Sequence, residues 1–205
     1  MKNKSIQEIF REFNEEEIEF LVLRNYSDME KEKDVDLAIN KEDKKKVEKI
    51  AKKFKLKKGI SLGYYLSLRN NFVWLDIRAG GIVYNGFLFS NFKSIYQRKR
   101  KYGNFFILSE EDELVHLILH SIIDKEFYKE VYIGKIEELM SSVNEDELKK
   151  ILIWRLGGLG NKIFYLVKEK KYAETLKLRR KLLLKLFRIR DLHNFIILNL
   201  VKILR

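Results

Sequence analysis

The sequence predicts an α+β chain: a mixed sheet with flanking helices, followed by an all-helical C-terminal domain. Three observations carry that expectation. Short β-rich runs alternate with two helical patterns up to residue 108; beyond it only helical spacing recurs; and the charge balance changes sign at the same point. Residues 1–108 carry a net charge of +8, residues 109–167 one of −5 and residues 168–205 one of +9, within a total of +12. The expected organisation is therefore two domains, 1–108 and 109–205.

The first element is a helix over 4–15, with Ile6, Ile9, Phe10 and Phe13 on one side. A strand follows in 18–24, then a polar loop over 25–33 and a second strand, DVDLAI, over 34–39. Asn40 has the chemistry of an N-cap for a helix over 41–54, whose apolar face is Val47, Ile50, Ala51 and Phe54. Two β-rich runs, GYYLSLRN and NFVWLDIRAG, meet at Asn70-Asn71, and asparagine tolerates the positive φ of a tight hairpin. GGIVYNGFLF continues as strand or loop, and NFFIL over 104–108 is a last short strand, giving the order α-β-β-α-β-β-β. Ser109 followed by Asp112 opens a helix through ELVHLILHSII. The helical pattern then runs on, with Asn144 as an N-cap and GGLG at 157–160 as a break.

Composition narrows the function classes. A hydrophobic content of 46% argues against global disorder despite 35% charged residues. No apolar run approaches the roughly 20 residues of a membrane span, and MKNKSIQEIF has no signal-peptide core, so a cytoplasmic location is expected. The absence of cysteine excludes disulfides and thiolate metal sites. Two basic regions around an acidic one suit a polyanionic partner, although a lysine-rich solvated surface produces the same balance.

The chemistry-bearing feature is the pair of carboxylates in DVDLAI. Strand side chains alternate, so Asp34 and Asp36 share a face roughly 7 Å apart along the strand. Unpaired, they repel each other and are costly to desolvate. A cation relieves both, and hard oxygen ligands suit Mg²⁺, which takes one or two carboxylates together with substrate phosphates. Asp76 is the only acid between Glu48 and Glu110, and it lies in an apolar β-prone run. On a neighbouring strand it would complete a two-ion clamp for in-line phosphoryl chemistry. The competing reading puts Asp34 and Asp36 at a strand end, solvated or paired with nearby lysines.

The order helix, strand, loop, Asp-x-Asp strand, helix and later strand with one Asp resembles the nucleotidyltransferase fold of DNA polymerase β and the minimal nucleotidyltransferases. FLVLRNYSD…KDVDLAI resembles uncharacterised family members with a Leu-Arg-Asn/Gly-Tyr segment before the Asp-x-Asp strand, and LSEEDELVHLILHSIIDKEFYKEVY resembles the helical segment that follows in them. The resemblance covers about residues 5–140. It implies an Mg²⁺-dependent enzyme that binds ATP or another nucleoside triphosphate and moves the monophosphate to a hydroxyl or amine. Asp34, Asp36 and Asp76 would be the metal ligands, with Asp76 also deprotonating the acceptor. Where the family usually has Gly-Gly or Gly-Ser after the first strand, this chain has Arg24 and Asn25. A guanidinium can grip phosphate and an amide can support it, so both are candidate substrate-binding residues. The bulkier turn also leaves an alternative open: a catalytically inactive module of the same fold that binds nucleic acid through its basic surface.

Other motifs weigh less. His116 and His120 have the i, i+4 spacing of paired zinc ligands, but apolar surroundings and the missing glutamate favour core or interface packing. His193 is isolated, and GGIVYNG and GGLG lack a phosphate-loop pattern. QRKRK over 97–101, beside Tyr96 and Tyr102, is a candidate phosphate contact or a solvated loop. Lys177, Lys181, Lys185 and Arg188 form a basic stripe opposite Leu182, Leu183, Leu186 and Ile189, suited to a polyanion or to ordinary helix packing.

Overall fold

A computed structural model describes residues 6–24, 26, 34–62, 64–70 and 73–187; Asn25, Asn71, Arg188, Ile189 and His193 lie outside them. Alternation of apolar and polar residues along the central strands sets the architecture. Helix α1 (Ile6–Glu15) buries the expected Ile6, Ile9, Phe10 and Phe13. Strands β1 (Phe20–Val22) and β2 (Asp34–Ile39) pair antiparallel, with Val22 opposite Leu37. Asn40 caps a 3₁₀ turn, Lys41–Asp43, by accepting from the Glu42 amide, and the turn runs into α2 (Lys44–Lys53).

Strand β3 (Lys57–Leu62) has no counterpart in the sequence expectation, because KKGISL alternates only at Ile60 and Leu62, too briefly to reveal it. It is an outer strand on β4 (Tyr65–Arg69), which forms the expected hairpin with β5 (Trp74–Ala79). The Asn70 side chain accepts from the Val73 amide within that turn. A separate ribbon, β6 (Gly81–Tyr84) with β7 (Phe87–Asn91), turns through Asn85 and Gly86, both at positive φ as a tight hairpin requires. Then come α3 (Phe92–Gln97), β8 (Arg100–Tyr102) and β9 (Phe105–Ile107). The main sheet has the order β3-β4-β5-β2-β1-β9-β8, with β2·β5 and β1·β9 parallel and the remaining pairs antiparallel.

Beyond residue 108 the described chain is helical, as expected: α4 (Glu110–Leu119), a π-helical turn His120–Lys125, α5 (Glu130–Ser142), α6 (Glu145–Leu156), α7 (Gly158–Lys168), α8 (Tyr172–Leu176) and α9 (Arg179–Leu186). Ser109 and Asn144 are the N-caps of α4 and α6. No helix among the described residues is long and apolar enough to cross a membrane.

Two apolar cores lie on opposite faces of the sheet. One packs Val35, Leu37, Ile39, Leu75 and Ile77 against α1 and α2. The other joins Leu21, Leu23 and Ala38 to the β6–β7 ribbon and the helices α4 to α9. The helical half therefore sits on the same sheet face as the Asp34 and Asp36 side chains, and that contact creates the site.

Candidate active site

The parallel pairing of β2 and β5 sets Asp34 beside Trp74, Asp36 beside Asp76, and Ala38 beside Arg78. Paired residues of neighbouring strands point to the same face and the strands lie about 4.8 Å apart, so the three carboxylates converge. This is the juxtaposition expected from the sequence. The two-residue spacing within each strand brings Arg78 and Trp74 to the same face as well.

Asp36 is 1% exposed and surrounded by cations. The Arg24 Nε donates to its Oδ2 at 2.5 Å, and the Arg78 Nη1 lies 2.9 Å from its Oδ1. Burial alone would push the carboxyl up, but the Arg78 and Arg24 guanidiniums outweigh it and hold it down at about 2. Asp34, on the same face, has the opposite environment. Its Oδ1 is buried without a hydrogen-bond partner among the described residues. Burial first, then the charges of Asp36 and Asp76, push its carboxyl up to about 6, against the pull of Arg24 and Arg78. Asp76 accepts from the Trp74 indole at 3.0 Å and from the Tyr65 hydroxyl, and burial together with Asp76 raises the Tyr65 phenol. The same indole reaches Ser67 Oγ at 2.9 Å.

Arg24 stands two residues beyond β1, where the Leu23 amide donates to the Asp36 carbonyl, so the backbone delivers the guanidinium to Asp36. Its Nη1 contacts His120 Nε2 at 2.7 Å and donates to the Tyr132 hydroxyl at 2.8 Å. Nη2 makes no hydrogen bond to a described residue. His120 Nδ1 lies 3.1 Å from Asp124 Oδ2, and Asp124 Oδ1 accepts from the Asn85 amide in the β6–β7 turn. His116, buried one turn earlier, pairs with the Tyr84 hydroxyl at 3.0 Å and stacks on His120. His116 is a packed core group, as expected, whereas His120 belongs to the site.

Sequence reasoning thus missed Arg78, Tyr65, Trp74, His120, Asp124 and Tyr132. Arg78 had a signal: it stands two residues after Asp76 in a strand, hence on the same face. His120 and Asp124 had one too, as an i, i+4 pair within an apolar helix, where a charged residue needs a partner. Tyr132 had none.

The donor set fits a hard cation only in part. Asp34 has an unpartnered oxygen, a raised carboxyl and no ion pair among the described residues, and Asp76 is close enough for its charge to raise that carboxyl further. Asp36 has both oxygens on guanidiniums. Among the described residues, no group of three or more His, Asp or Glu side chains stands ready to hold a metal ion. Asp34 and Asp76 are thus the fitting ligands, and Asp36 as placed serves the arginines.

The two arginines of the basic cluster at 97–101 are engaged elsewhere. Arg98 forks onto Asp112 at 2.9 and 2.8 Å, and Arg100 reaches Glu110 at 2.7 Å and Glu113 at 2.9 Å. Tyr26 also donates to Glu113 at 2.9 Å. The acidic first turn of α4 neutralises both arginines, so they tie the sheet to the helical half.

No family model matches this sequence, and no curated protein matches it. Solved structures do. The solution structure of the antibiotic-resistance factor ANT(2'')-Ia superposes with a TM-score of 0.55 at 10% identity, covering 82% of this chain and 95% of that one. The crystal structure of ANT(2'')-Ia in complex with adenylyl-2''-tobramycin gives a TM-score of 0.53 at 10% identity, covering 81% and 96%. Likeness at that identity is one of fold, and the mixed sheet with its helical C-terminal portion is a nucleotidyltransferase-type fold.

Proposed function

We propose that the chain is a nucleotidyltransferase that moves a nucleoside monophosphate from a nucleoside triphosphate to a hydroxyl or amine acceptor. The observation that carries this reading is the Asp36–Asp76 register of β2 and β5, which gathers three carboxylates on one sheet face of a nucleotidyltransferase-type fold. The acceptor atom attacks the α-phosphorus, the bond from the α-phosphorus to the bridging oxygen breaks, and pyrophosphate leaves. Asp76, oriented by Trp74 and Tyr65, takes the acceptor's proton. Asp34 and Asp76 would hold Mg²⁺, with substrate phosphates completing its coordination. When bound, the ion supplies neutralisation of the charge that builds on the phosphoryl oxygens. Arg24 keeps the two Nη2 donors for a phosphate while Asp36 fixes its other end. ATP is one candidate donor; the helical half, which forms the opposite wall, would select the acceptor.

A second reading is favoured by the two guanidiniums on Asp36: a module that keeps the fold but neutralises Asp36 with arginine and performs no transfer. Calorimetry with ATP, CTP, GTP and UTP, each with and without Mg²⁺, separates the two. Binding that requires Mg²⁺ and disappears in Asp34→Asn and Asp76→Asn supports the transferase. Binding indifferent to both changes, or RNA binding indifferent to them, supports the inactive module. Labelled triphosphates incubated with cell extract would then identify the acceptor by its uptake of label.

A further inference from the structure

We propose that His120, held by Asp124, is a positioning residue for Arg24: it fixes the guanidinium against Asp36 and releases it when the imidazole takes a second proton. A guanidinium nitrogen only donates, so His120 Nε2, 2.7 Å from Arg24 Nη1, must accept. The ring is then neutral with its proton on Nδ1, where it meets Asp124 Oδ2 at 3.1 Å. The other oxygen of Asp124 is occupied by the Asn85 amide at 2.9 Å, so the carboxylate cannot swing away without opening the β6–β7 turn.

Arg24 is constrained in turn at three points. Nε is on Asp36, and the two Nη1 hydrogens go to His120 and to Tyr132. A planar fork held on those edges has the direction of Nη2 set, and Nη2 makes no hydrogen bond to a described residue. Rigid presentation of a phosphate-binding cation is worth more than the same charge on a mobile side chain, because its ordering cost is met before substrate arrives. The three constraints come from separate parts of the chain: β2, the π-helical turn and α5. The sheet alone therefore holds only one edge of this arginine.

The charged and titratable neighbours of His120 are Arg24 after β1, Arg78 on β5, His116 on α4, Asp124 on its own turn, and Tyr132 on α5. Burial and the Arg24 and Arg78 charges oppose a second proton, Asp124 favours it, and the balance lies below the ordinary histidine range. Once protonated, Nε2–H would point at Nη1–H, turning an acceptor into a repulsive donor. The Arg24 grip then loosens as pH falls.

Two measurements test this, and only the second rests on the transferase reading. In ¹H–¹⁵N spectra of the histidine side chains, His120 should be the Nδ1–H tautomer at neutral pH, and its apparent pKa should rise in Arg24→Gln, which removes the opposing charge. An Nε2–H tautomer, or an unchanged pKa, overturns the proposal. In the second, Mg²⁺ with each triphosphate is titrated from pH 7.5 down through the His120 pKa found in the spectra. His120→Phe should bind about tenfold more weakly at pH 7.5, the usual scale for losing a hydrogen bond to a charged group. His120→Gln, which can accept from Arg24 and donate to Asp124, should restore affinity there. Below the His120 pKa read from the spectra, wild type should weaken more than His120→Gln. Wild-type affinity in His120→Phe, or equal weakening of wild type and His120→Gln below that pKa, overturns the positioning role. If wild type binds no triphosphate, the transferase reading fails and the spectra alone decide the His120–Arg24 coupling.

Discussion

The two faces of β2 and β5 are built from the same twelve backbone positions and obey opposite rules. On one face Val35, Leu37, Ile39, Leu75, Ile77 and Ala79 are all essentially buried against α1 and α2. On the other lie Asp34, Asp36, Trp74, Asp76 and Arg78; Asp36 meets Arg24 from the turn after β1, which His120 of the π-helical turn and Tyr132 of α5 hold in turn. The apolar face is held by non-directional burial, so any side chain of suitable size contributes. The polar face is held by a few directional pairs, each of which leaves an expensive orphan if broken. A strand can carry both because its side chains alternate with a period of two.

The largest effect should come from breaking the polar face. Asp36→Ala would leave the Arg24 and Arg78 guanidiniums, 12% and 11% exposed, without their shared carboxylate. Removing one partner of a buried ion pair costs about 3–5 kcal/mol. Leu37→Ala, one residue away on the opposite face, should cost about 2–5 kcal/mol through reduced burial and a residual cavity. Urea unfolding of both variants measures this. A cost below about 1 kcal/mol for Asp36→Ala would show that the arginines are solvated after all and that the polar face is not structural.

The same contrast explains what the sequence disclosed. Elements whose apolar residues follow a simple period were readable: α1, β2, the β4–β5 hairpin and the start of α4 all lie where the pattern put them. Strand β3 was not, because KKGISL is charged and glycine-containing at the sheet edge, where burial does not select apolar residues. In the site, the convergence of Asp34, Asp36 and Asp76 followed from alternation plus one assumption about strand neighbours. The surroundings of Asp36 did not follow, since His120 and Tyr132 are 96 and 108 residues from Arg24, and Asp124 joins it only through His120. Periodicity reports which face a residue occupies and is silent about what a distant segment brings to that face.

Asp34→Asn sharpens the comparison from the other side. Asp34 has a folded-state pKa of about 6 against an ordinary value of 3.8, so between those values the native state binds more protons than the unfolded one. Stability from this group is therefore complete below about pH 4 and is lost as pH rises through 6. At pH 7.5 the charged carboxylate is a liability, and Asp34→Asn should stabilise by about 1–2 kcal/mol after discounting for partial solvation, raising Tm by roughly 3–6 °C. Asp36 runs the opposite way: its carboxyl is depressed to about 2, so its contribution holds above pH 4 and fades as pH falls toward 2. Scanning calorimetry from pH 4 to 8 should find that Asp34→Asn flattens the loss of stability between pH 4 and 6. A destabilised Asp34→Asn at pH 7.5 would mean that Asp34 has a cationic partner.

A cation should relieve the same strain in the wild-type chain. The Trp74 indole hydrogen-bonds Asp76, and the only other tryptophan, Trp154, is 66% exposed. In a Trp154→Phe background, Mg²⁺ or Mn²⁺ should perturb Trp74 emission and stabilise the fold by about 1.4 kcal/mol at ten times its dissociation constant. Both responses should vanish in Asp34→Asn. An emission change that survives this substitution would place the ion elsewhere.

The smallest effect is expected at the basic stripe of α9 and the turn before it. Lys177, Lys181 and Lys185 are exposed, while Leu178, Leu182 and Leu186, each one residue on, are buried on a neighbouring face. The helix is anchored by those leucines and by Arg179, which pairs with Glu126 at 2.9 Å and donates to the Ile123 carbonyl. Exposed charges on such a helix contribute little, so Lys177→Glu with Lys181→Glu should change stability by no more than about 0.5 kcal/mol. The same pair tests whether the positive charge of this region serves a polyanion. If each lysine meets a phosphate, the double substitution should flatten the salt dependence of oligonucleotide binding by roughly one unit of slope per lysine. Equal affinity and slope at low salt would leave the stripe as the solvated outer face of a packed helix. That outcome is expected, because the buried leucines and Arg179 account for the helix's place in the fold.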